Sequence, residues 1–455
     1  MWNMHVSSAH MLASLVSGRM SPFMSSNSSL SLGRVVGPGL MRVGFASSSA
    51  SASSSASASA SSASAASAQP AVAEENDDVQ SSSSSSSVNT HVMMQTQQLQ
   101  LRNSSEPSSS SSPLAVRNDW NIDEVREILA RPVLDLVFDA SRVHREHFPA
   151  NQVQKCTLLS VKTGGCPETC GYCSQSSSWS KDTKMKATPL MDLDGVLEAA
   201  KRAKEAGSTR FCMGAAWRGP SQVGPRQWNR VLSMVSEVRS MGMEVCATLG
   251  MLEGDQATQL KDAGLTAYNH NIDTSREHYP NVTSSRSFDD RLETIKMARD
   301  AGLSVCTGGI LGLGEDPHVD RASFLHTLAT METHPESVPV NSLVAVPGTP
   351  LGKLAAAKAA KGEGASAGVP PLDLVRVIAA ARILMPRTTL RLSAGRSSLS
   401  RGEQALAFLA GANSIFTGDT LLTTPNVAED DDTAMFRELG LQGKPPFQGA
   451  YKAFE

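Results

Sequence analysis

The stretch "LDGVLEAAKRAKEAGSTRFCMGAA", residues 193–216, holds one complete structural unit of this chain. Val196, Leu197, Ala200 and Ala203 fall on one helical stripe, and Gly207 follows as a natural residue just past a helix C-terminus. A short apolar run begins at once. The same order recurs in "RVLSMVSEVRSMG" before "MEVCATLG", "DQATQLKDAG" before "LTAYNHNID", "RLETIKMARDAG" before "LSVCTGGILGLG", and "QALAFLAG" before "ANSIFTGD". Each reads as a helix closed by glycine and followed by a strand. Buried strands alternating with helices imply right-handed crossovers and a parallel sheet covered on both faces. "KCTLLSVKTG", "VPVNSLVAVPG" and "TTLRLSAG" complete a set of eight candidate strands, which predicts an α/β fold of the (β/α)8 TIM-type barrel class rather than an open doubly wound sheet. The stretch "KLAAAKAAKGEGASAG" at 353–368 predicts a solvated, partly helical insertion with a linker's role.

The chain has 455 residues, 40% of them apolar, enough for a large core, and its net charge of -3 gives no electrostatic reason for a nucleic-acid partner. Seven cysteines, four of them single within apolar runs, do not form a secreted disulfide framework and point to a reducing compartment. Residues 1–118 are dominated by serine and alanine and are expected to be disordered. No acidic residue precedes Glu74, while Arg19, Arg34 and Arg42 sit among small and apolar residues, the composition of an organelle-targeting extension. The mitochondrial matrix is the expected address, with the chloroplast as the alternative. No run of about 18 apolar residues predicts a membrane span. Residues 119–455 are the expected catalytic domain.

Cys166, Cys170 and Cys173 form C-x3-C-x2-C directly after the first strand, on the C-terminal rim where the active sites of this fold lie. Structural zinc takes four protein ligands, and the neighbouring cysteines, Cys156 and Cys212, belong to strands. A [4Fe–4S] cluster held by three thiolates leaves one iron free for a small molecule. A redox dithiol is the other reading of the C-x2-C pair. Cys212, Cys246 and Cys306 lie in three further strands, where alternate residues face the barrel interior, so three thiols could meet there. Any one alone would be an ordinary small core residue. Cys156 is expected to be a buried strand thiol near the rim.

The three-cysteine loop, with Tyr172 just before its last cysteine, resembles the radical S-adenosylmethionine enzymes. The runs "STRFCMGAAW", "YNHNIDTS", "GLGE", "ESVPVN", "GTPL", "RLSAG" and "FLAGANSIFTGD" narrow the resemblance, from about Trp120 to Asn426, to the biotin synthase family. That resemblance implies that the open iron takes the amino and carboxylate groups of S-adenosylmethionine. It implies a second cluster, [2Fe–2S], held by Cys212, Cys246, Cys306 and Arg391. Arginine is cationic and hard to deprotonate, so its role as a ligand rests on the resemblance alone. By the same resemblance Tyr172 belongs to the cofactor site, Asn271 and Asp273 bind the cosubstrate's ribose close to the second substrate, Ile310 packs on adenine, and Asn341 meets the ureido ring of dethiobiotin. No catalytic residue is implied beyond the cofactor ligands.

The residues also carry plainer readings. Asp273 could cap a helix in "DTSRE". His270 is expected to point away from its two asparagine neighbours as a structural residue. The glycines of "GGILGLGE" lack the spacing and lysine of a P-loop. Asn341, an inward polar residue in an apolar strand, needs a partner if buried.

The implied activity is radical sulfur insertion. An external electron, from a ferredoxin or flavodoxin type of donor, drives cleavage of S-adenosylmethionine to methionine and a 5′-deoxyadenosyl radical, which takes hydrogen from dethiobiotin. The inner cluster donates the sulfur and is consumed, so iron–sulfur assembly machinery is an implied partner, and a homodimer is the implied assembly. The rivals are a radical enzyme acting on another small molecule and a non-enzymatic zinc or iron–sulfur scaffold. Lipoyl synthase fits less well, because its further three-cysteine motif is absent.

Overall fold

The expected strands close into one parallel barrel. A computed structural model describes residues 116–362, 368–418 and 420–446. The strands are β1 (Gln152–Lys162), β2 (Arg210–Ala215), β3 (Glu244–Thr248), β4 (Ala267–Asn269), β5 (Ser304–Cys306), β6 (Gly309–Leu311), β7 (Ser337–Ser342), β8 (Thr389–Leu392) and β9 (Ser414–Phe416). Neighbours pair in parallel, and β9 returns to pair β1 through Gln154–Cys156. β5 and β6 are two pieces of a single stave. Cys306 pairs Ser337, the ladder lapses, and Gly309–Leu311 then pair Val340–Ser342. The break faces Pro339, which has no N–H to give a ladder. A Cβ on Gly308 would stand 2.0 Å from the Pro339 carbonyl oxygen, so only glycine fits there.

Local signals agree with this architecture. All five glycines that end the repeated helices, Gly207, Gly242, Gly264, Gly302 and Gly411, adopt positive φ. Asp192 caps the helix Leu193–Glu205 by accepting from Gly195 N–H, and that helix buries Val196, Ala200 and Ala203 against the sheet while Leu197 is half-buried. Inside the barrel the layers of this fold are commonly branched aliphatics. Here the interior cluster is Cys156, Cys212, Cys246, Ala267 and Cys306, with Leu158 and Phe416 packed on it. Beneath it lies a buried ion pair, Arg210 to Glu244 at 2.8 Å, whose carboxylate also accepts from Gln154 at 3.1 Å.

Two helices, Ile122–Ala130 and Val133–His147, precede the barrel and pack on the helix Pro371–Leu384. Trp120 Nε1 donates to the Leu384 carbonyl, and Arg376 to that of Leu129. Asn118 donates to the carbonyls of Met331 and Glu332, so the fold starts inside the stretch assigned to the extension. The remaining expectations for residues 1–118 concern 1–115, outside the described residues. Part of the 353–368 insertion is a largely exposed helix, Pro350–Ala360, capped by Thr349; residues 363–367 lie outside the described ones. A hairpin of β10 (Thr420–Leu421) and β11 (Thr424–Pro425), and β12 (Gln442–Gly443) beside the start of β1, were not expected from the sequence. No helix among the described residues is long and apolar enough to cross a membrane.

Candidate active site

The three-cysteine loop leaves β1 and folds back on itself. Cys166 N–H donates to the Gln175 carbonyl at 3.0 Å, Cys173 N–H to that of Cys170 at 3.0 Å, and Ser177 N–H returns to Cys166 at 2.7 Å. Glu168, buried within the loop, fastens it to its surroundings: Arg218 from beyond β2 lies 2.8 Å from its carboxylate, Arg286 lies 3.5 Å away, and Ser285 donates its hydroxyl. Arg286 Nη2 also stands 3.8 Å from Cys170 Sγ. Burial pushes Cys166 up and Cys173 up to about 12, so the protein alone holds neutral thiols here, and metal binding releases their protons.

All three thiols line a cavity of about 330 Å³ that also reaches Cys212, Cys246, Cys306 and Arg391. The register explains the inner group. Cys212 pairs Cys246 across β2 and β3, Asn269 pairs Cys306 across β4 and β5, and Pro339 pairs Arg391 across β7 and β8. Cys156, Cys212, Cys246 and Cys306 are in hydrogen-bonding contact in succession. At Cys212 the bond with Cys156 pulls the thiol down, but the bond with Cys246 and burial outweigh it and leave the group near 12. Cys306 moves the other way: its bond with Cys246, helped by the Arg391 and Arg210 charges, overcomes burial and holds it at about 5. Cys156 is buried as expected but is not near the rim. It pairs Arg210, the first residue of β2, in the lower half of the barrel.

Between the two cysteine groups lie the expected binding residues. Tyr172 donates its hydroxyl to Asp273 Oδ2 at 3.1 Å, and the same oxygen takes Arg291. Asp273 caps no helix. It is held at φ 67 by its N–H on the Gly308 carbonyl and its carbonyl on Ile310 N–H. A non-glycine residue in this left-handed region persists because its surroundings hold it there. Asn271 Oδ1 accepts from Gly308 N–H at 3.2 Å and from Asn269. Ile310 faces the cavity from β6. Asn341 also lines it, but both ends of its amide already have backbone partners: it donates to the Gly309 carbonyl at 2.8 Å and accepts from Ala394 N–H at 3.1 Å. His270 departs from expectation, since it borders the cavity too, with Nε2 unpaired.

Glu168, Arg218, Arg286 and Arg291 were missed by sequence reasoning. Glu168, between the first two cysteines, could have been singled out; the arginines carry no local signal. Leu421, Leu422 and Thr423 of the β10–β11 hairpin also reach the cavity, and the Thr423 hydroxyl lies 2.9 Å from that of Ser174.

Among the described residues no three His, Cys, Asp or Glu side chains converge on a single metal ion. Thiols spread over a loop, and over several staves of a barrel, fit iron–sulfur clusters, whose protein ligands are distributed over two or more irons.

The comparisons identify the family. The model of the radical SAM superfamily matches residues 160–328, and that of the Biotin and Thiamin Synthesis associated domain matches 339–442. The mitochondrial biotin synthase of Arabidopsis thaliana is 56% identical over 331 residues, covering 72% of this chain and 83% of its own. The biotin synthase of Schizosaccharomyces pombe is 53% identical over 339 residues, covering 74% and 90%. Among solved structures, methylornithine synthase (PylB) superposes with a TM-score of 0.57 at 20% identity, over 72% of this chain and 94% of that one, a likeness of fold. With more than half of its residues identical over most of the length of these relatives, the chain belongs to the biotin synthase family, within the radical SAM superfamily.

Proposed function

We propose that the protein converts dethiobiotin to biotin, a sulfurtransferase reaction with S-adenosylmethionine as cosubstrate. The observation that carries this reading is one cavity bordered at one end by Cys166, Cys170 and Cys173 and at the other by Cys212, Cys246, Cys306 and Arg391. Bound there, a [4Fe–4S] cluster, a [2Fe–2S] cluster and S-adenosylmethionine supply one-electron cleavage to a 5′-deoxyadenosyl radical, hydrogen abstraction from dethiobiotin and a sulfide for the new ring.

The chain's own residues bind, orient and seclude. Cys166, Cys170 and Cys173 would hold the outer cluster, and Cys212, Cys246 and Cys306 the inner one, with Arg391 closing its remaining side. Asp273, fixed by Arg291 and Tyr172, presents a carboxylate oriented to accept hydrogen bonds from a ribose diol, and Asn271 stands beside it. Ile310 offers an apolar face to a purine, and Asn341 an amide to a ureido ring. Arg286 and the loop around Glu168 keep the cysteine loop in place. Leu421 and Leu422 cover the cavity from the hairpin and help keep water from a radical.

The reaction needs a reductant, which we assign to a ferredoxin or flavodoxin type of donor. Iron–sulfur assembly machinery would rebuild the inner cluster, and the working assembly is a homodimer. The basic, acid-free start of the sequence directs the protein to the mitochondrial matrix. The test is biotin formation from dethiobiotin by anaerobically reconstituted protein. Activity lost in both Cys170→Ala and Cys246→Ala supports the reading, and biotin formed by either variant contradicts it.

A further inference from the structure

The chain carries a net charge of -3, yet one part of its surface has the opposite sign. Residues 174–189, which follow the last cysteine of the outer loop, and residues 348–362 together hold six lysines against one acidic residue, Asp182. Lys181, Lys184, Lys186, Lys353, Lys358 and Lys361 are all exposed. Lys353 pairs with Asp182 at 2.5 Å, which joins the two segments, and among the described residues the other five lysines form no ion pair.

Both segments rest on the cysteine loop. Leu351 N–H, in the first turn of the helix Pro350–Ala360, donates to the Gly171 carbonyl at 3.1 Å. Trp179 Nε1 donates to the carbonyl of Cys170 at 3.2 Å. Beyond its first turn the helix adds little to the core, since Gly352 alone of its residues is buried. A surface groove of about 310 Å³ runs along it, lined by Pro347, Ala355, Ala356 and Ala359, and Leu354 of the same helix is exposed. A strip of small apolar residues between charged ones has the makeup of an interface with an apolar centre and a polar rim.

We propose that this lysine face is the docking surface for the electron donor, a small acidic protein with a one-electron centre. The inference rests on the reading that an external donor reduces the outer cluster. In the docked pair one electron passes from carrier to cluster, so the carrier is oxidised by one and the cluster reduced by one; no bond forms or breaks and no proton moves. Electron transfer falls steeply with distance, and this face brings a carrier against the backbone of Cys170 and Gly171. Opposite charge steers the encounter, and electron-transfer partners manage with small interfaces. The insertion then has a role beyond that of a linker.

The test uses the full chain, reconstituted anaerobically, as wild type and as the fourfold variant K184E/K186E/K358E/K361E. Lys353 is left intact because it pairs with Asp182. Stopped-flow absorption follows reduction of the outer cluster by reduced flavodoxin, by a reduced plant-type ferredoxin and by photoreduced deazaflavin, a small reductant that needs no docking. The [4Fe–4S] absorption before mixing reports equal loading in each sample. Wild type is expected to be reduced by the protein carriers more slowly as salt rises from about 0.05 to 0.5 M. The variant is expected to be reduced by them about tenfold more slowly or worse at low salt, and by deazaflavin at the wild-type rate. A variant reduced by both carriers as fast as wild type overturns the proposal and leaves the proposed function standing. So does wild type that deazaflavin reduces and neither carrier does. Wild type that takes up no [4Fe–4S] cluster overturns both.

Discussion

Tyr172 donates its hydroxyl to Asp273 Oδ2 across 3.1 Å, tying the cysteine loop that follows β1 to the residues that follow β4. Arg291 bonds the same oxygen from a buried position, so the carboxylate is fixed by two partners and shielded from water. Breaking a buried pair by removing one partner leaves an uncompensated charge and costs about 3–5 kcal/mol. Arg291→Met is therefore expected to destabilise cluster-free protein by about that much in denaturant titration, and Tyr172→Phe, which removes one hydrogen bond to a charged acceptor, by about 1.5 kcal/mol.

Asp273 is expected to matter more for the cosubstrate than for the clusters. Asp273→Asn weakens S-adenosylmethionine binding by about tenfold or more, the size of one lost charge-assisted hydrogen bond. Equilibrium binding measures this, and the absorption of both clusters stays as in wild type. Unchanged affinity would remove Asp273 from the cosubstrate site.

The two cysteine groups line different parts of one cavity. Cys170→Ala is expected to lose the [4Fe–4S] signal and cleavage of S-adenosylmethionine while keeping the inner cluster, as read from iron content and low-temperature spectra. Loss of both clusters with the fold intact would mean that the sites do not load independently.

Gly308 sits where the fifth stave breaks. Its Cβ position is blocked by backbone, the Pro339 carbonyl at 2.0 Å, which cannot move as a flexible side chain would. Gly308→Ala is expected to cost about 3 kcal/mol or more, above the usual range for overpacking a side chain into a core. A melting temperature within a degree of wild type would contradict this.

His144 is buried beside Arg382 and Arg145, with Nε2 unpaired, and burial with those charges lowers its pKa to about 3. Its folded pKa lies below its unfolded value near 6.5, so below pH 6.5 the unfolded chain binds a proton that the folded one refuses. Stability should therefore fall with pH by about 1.4 kcal/mol per unit between about pH 6 and 4, and His144→Leu should lessen that slope. Parallel slopes for variant and wild type would show that His144 titrates normally in the fold.

The barrel was legible because its signals are local. A helical stripe, a glycine and an apolar run recur within about 25 residues, and Gly207, Gly242, Gly264, Gly302 and Gly411 adopt the backbone form that the pattern requires. The cysteine loop was legible for the same reason, and period-two alternation was enough to bring Cys212, Cys246 and Cys306 together. The alternation argument failed at His270, because β4 ends at Asn269 and the chain beyond it, turning through Asp273, no longer alternates as a strand. Cys156 was placed too high against the sequence's own pattern: as the second residue of "KCTLLSVKTG" it belongs toward the N-terminal end of the strand, and the register agrees by pairing it with Arg210 at the start of β2. The ion pairs were out of reach for a different reason. Glu168 and Arg286 lie 118 positions apart, and no local pattern predicts such a partner. The β10–β11 hairpin consists of two-residue strands, too short for any periodicity to reveal.

The central claim is that one cavity carries a catalytic cluster and a sulfur-donating one. The measurement that tests it most directly is iron and acid-labile sulfide content, with the visible spectrum, on anaerobically purified protein before and after turnover with S-adenosylmethionine and dethiobiotin. The account predicts loss of the [2Fe–2S] absorption in step with biotin formation, while the [4Fe–4S] signal persists. A single stable [4Fe–4S] cluster and no biotin would contradict it.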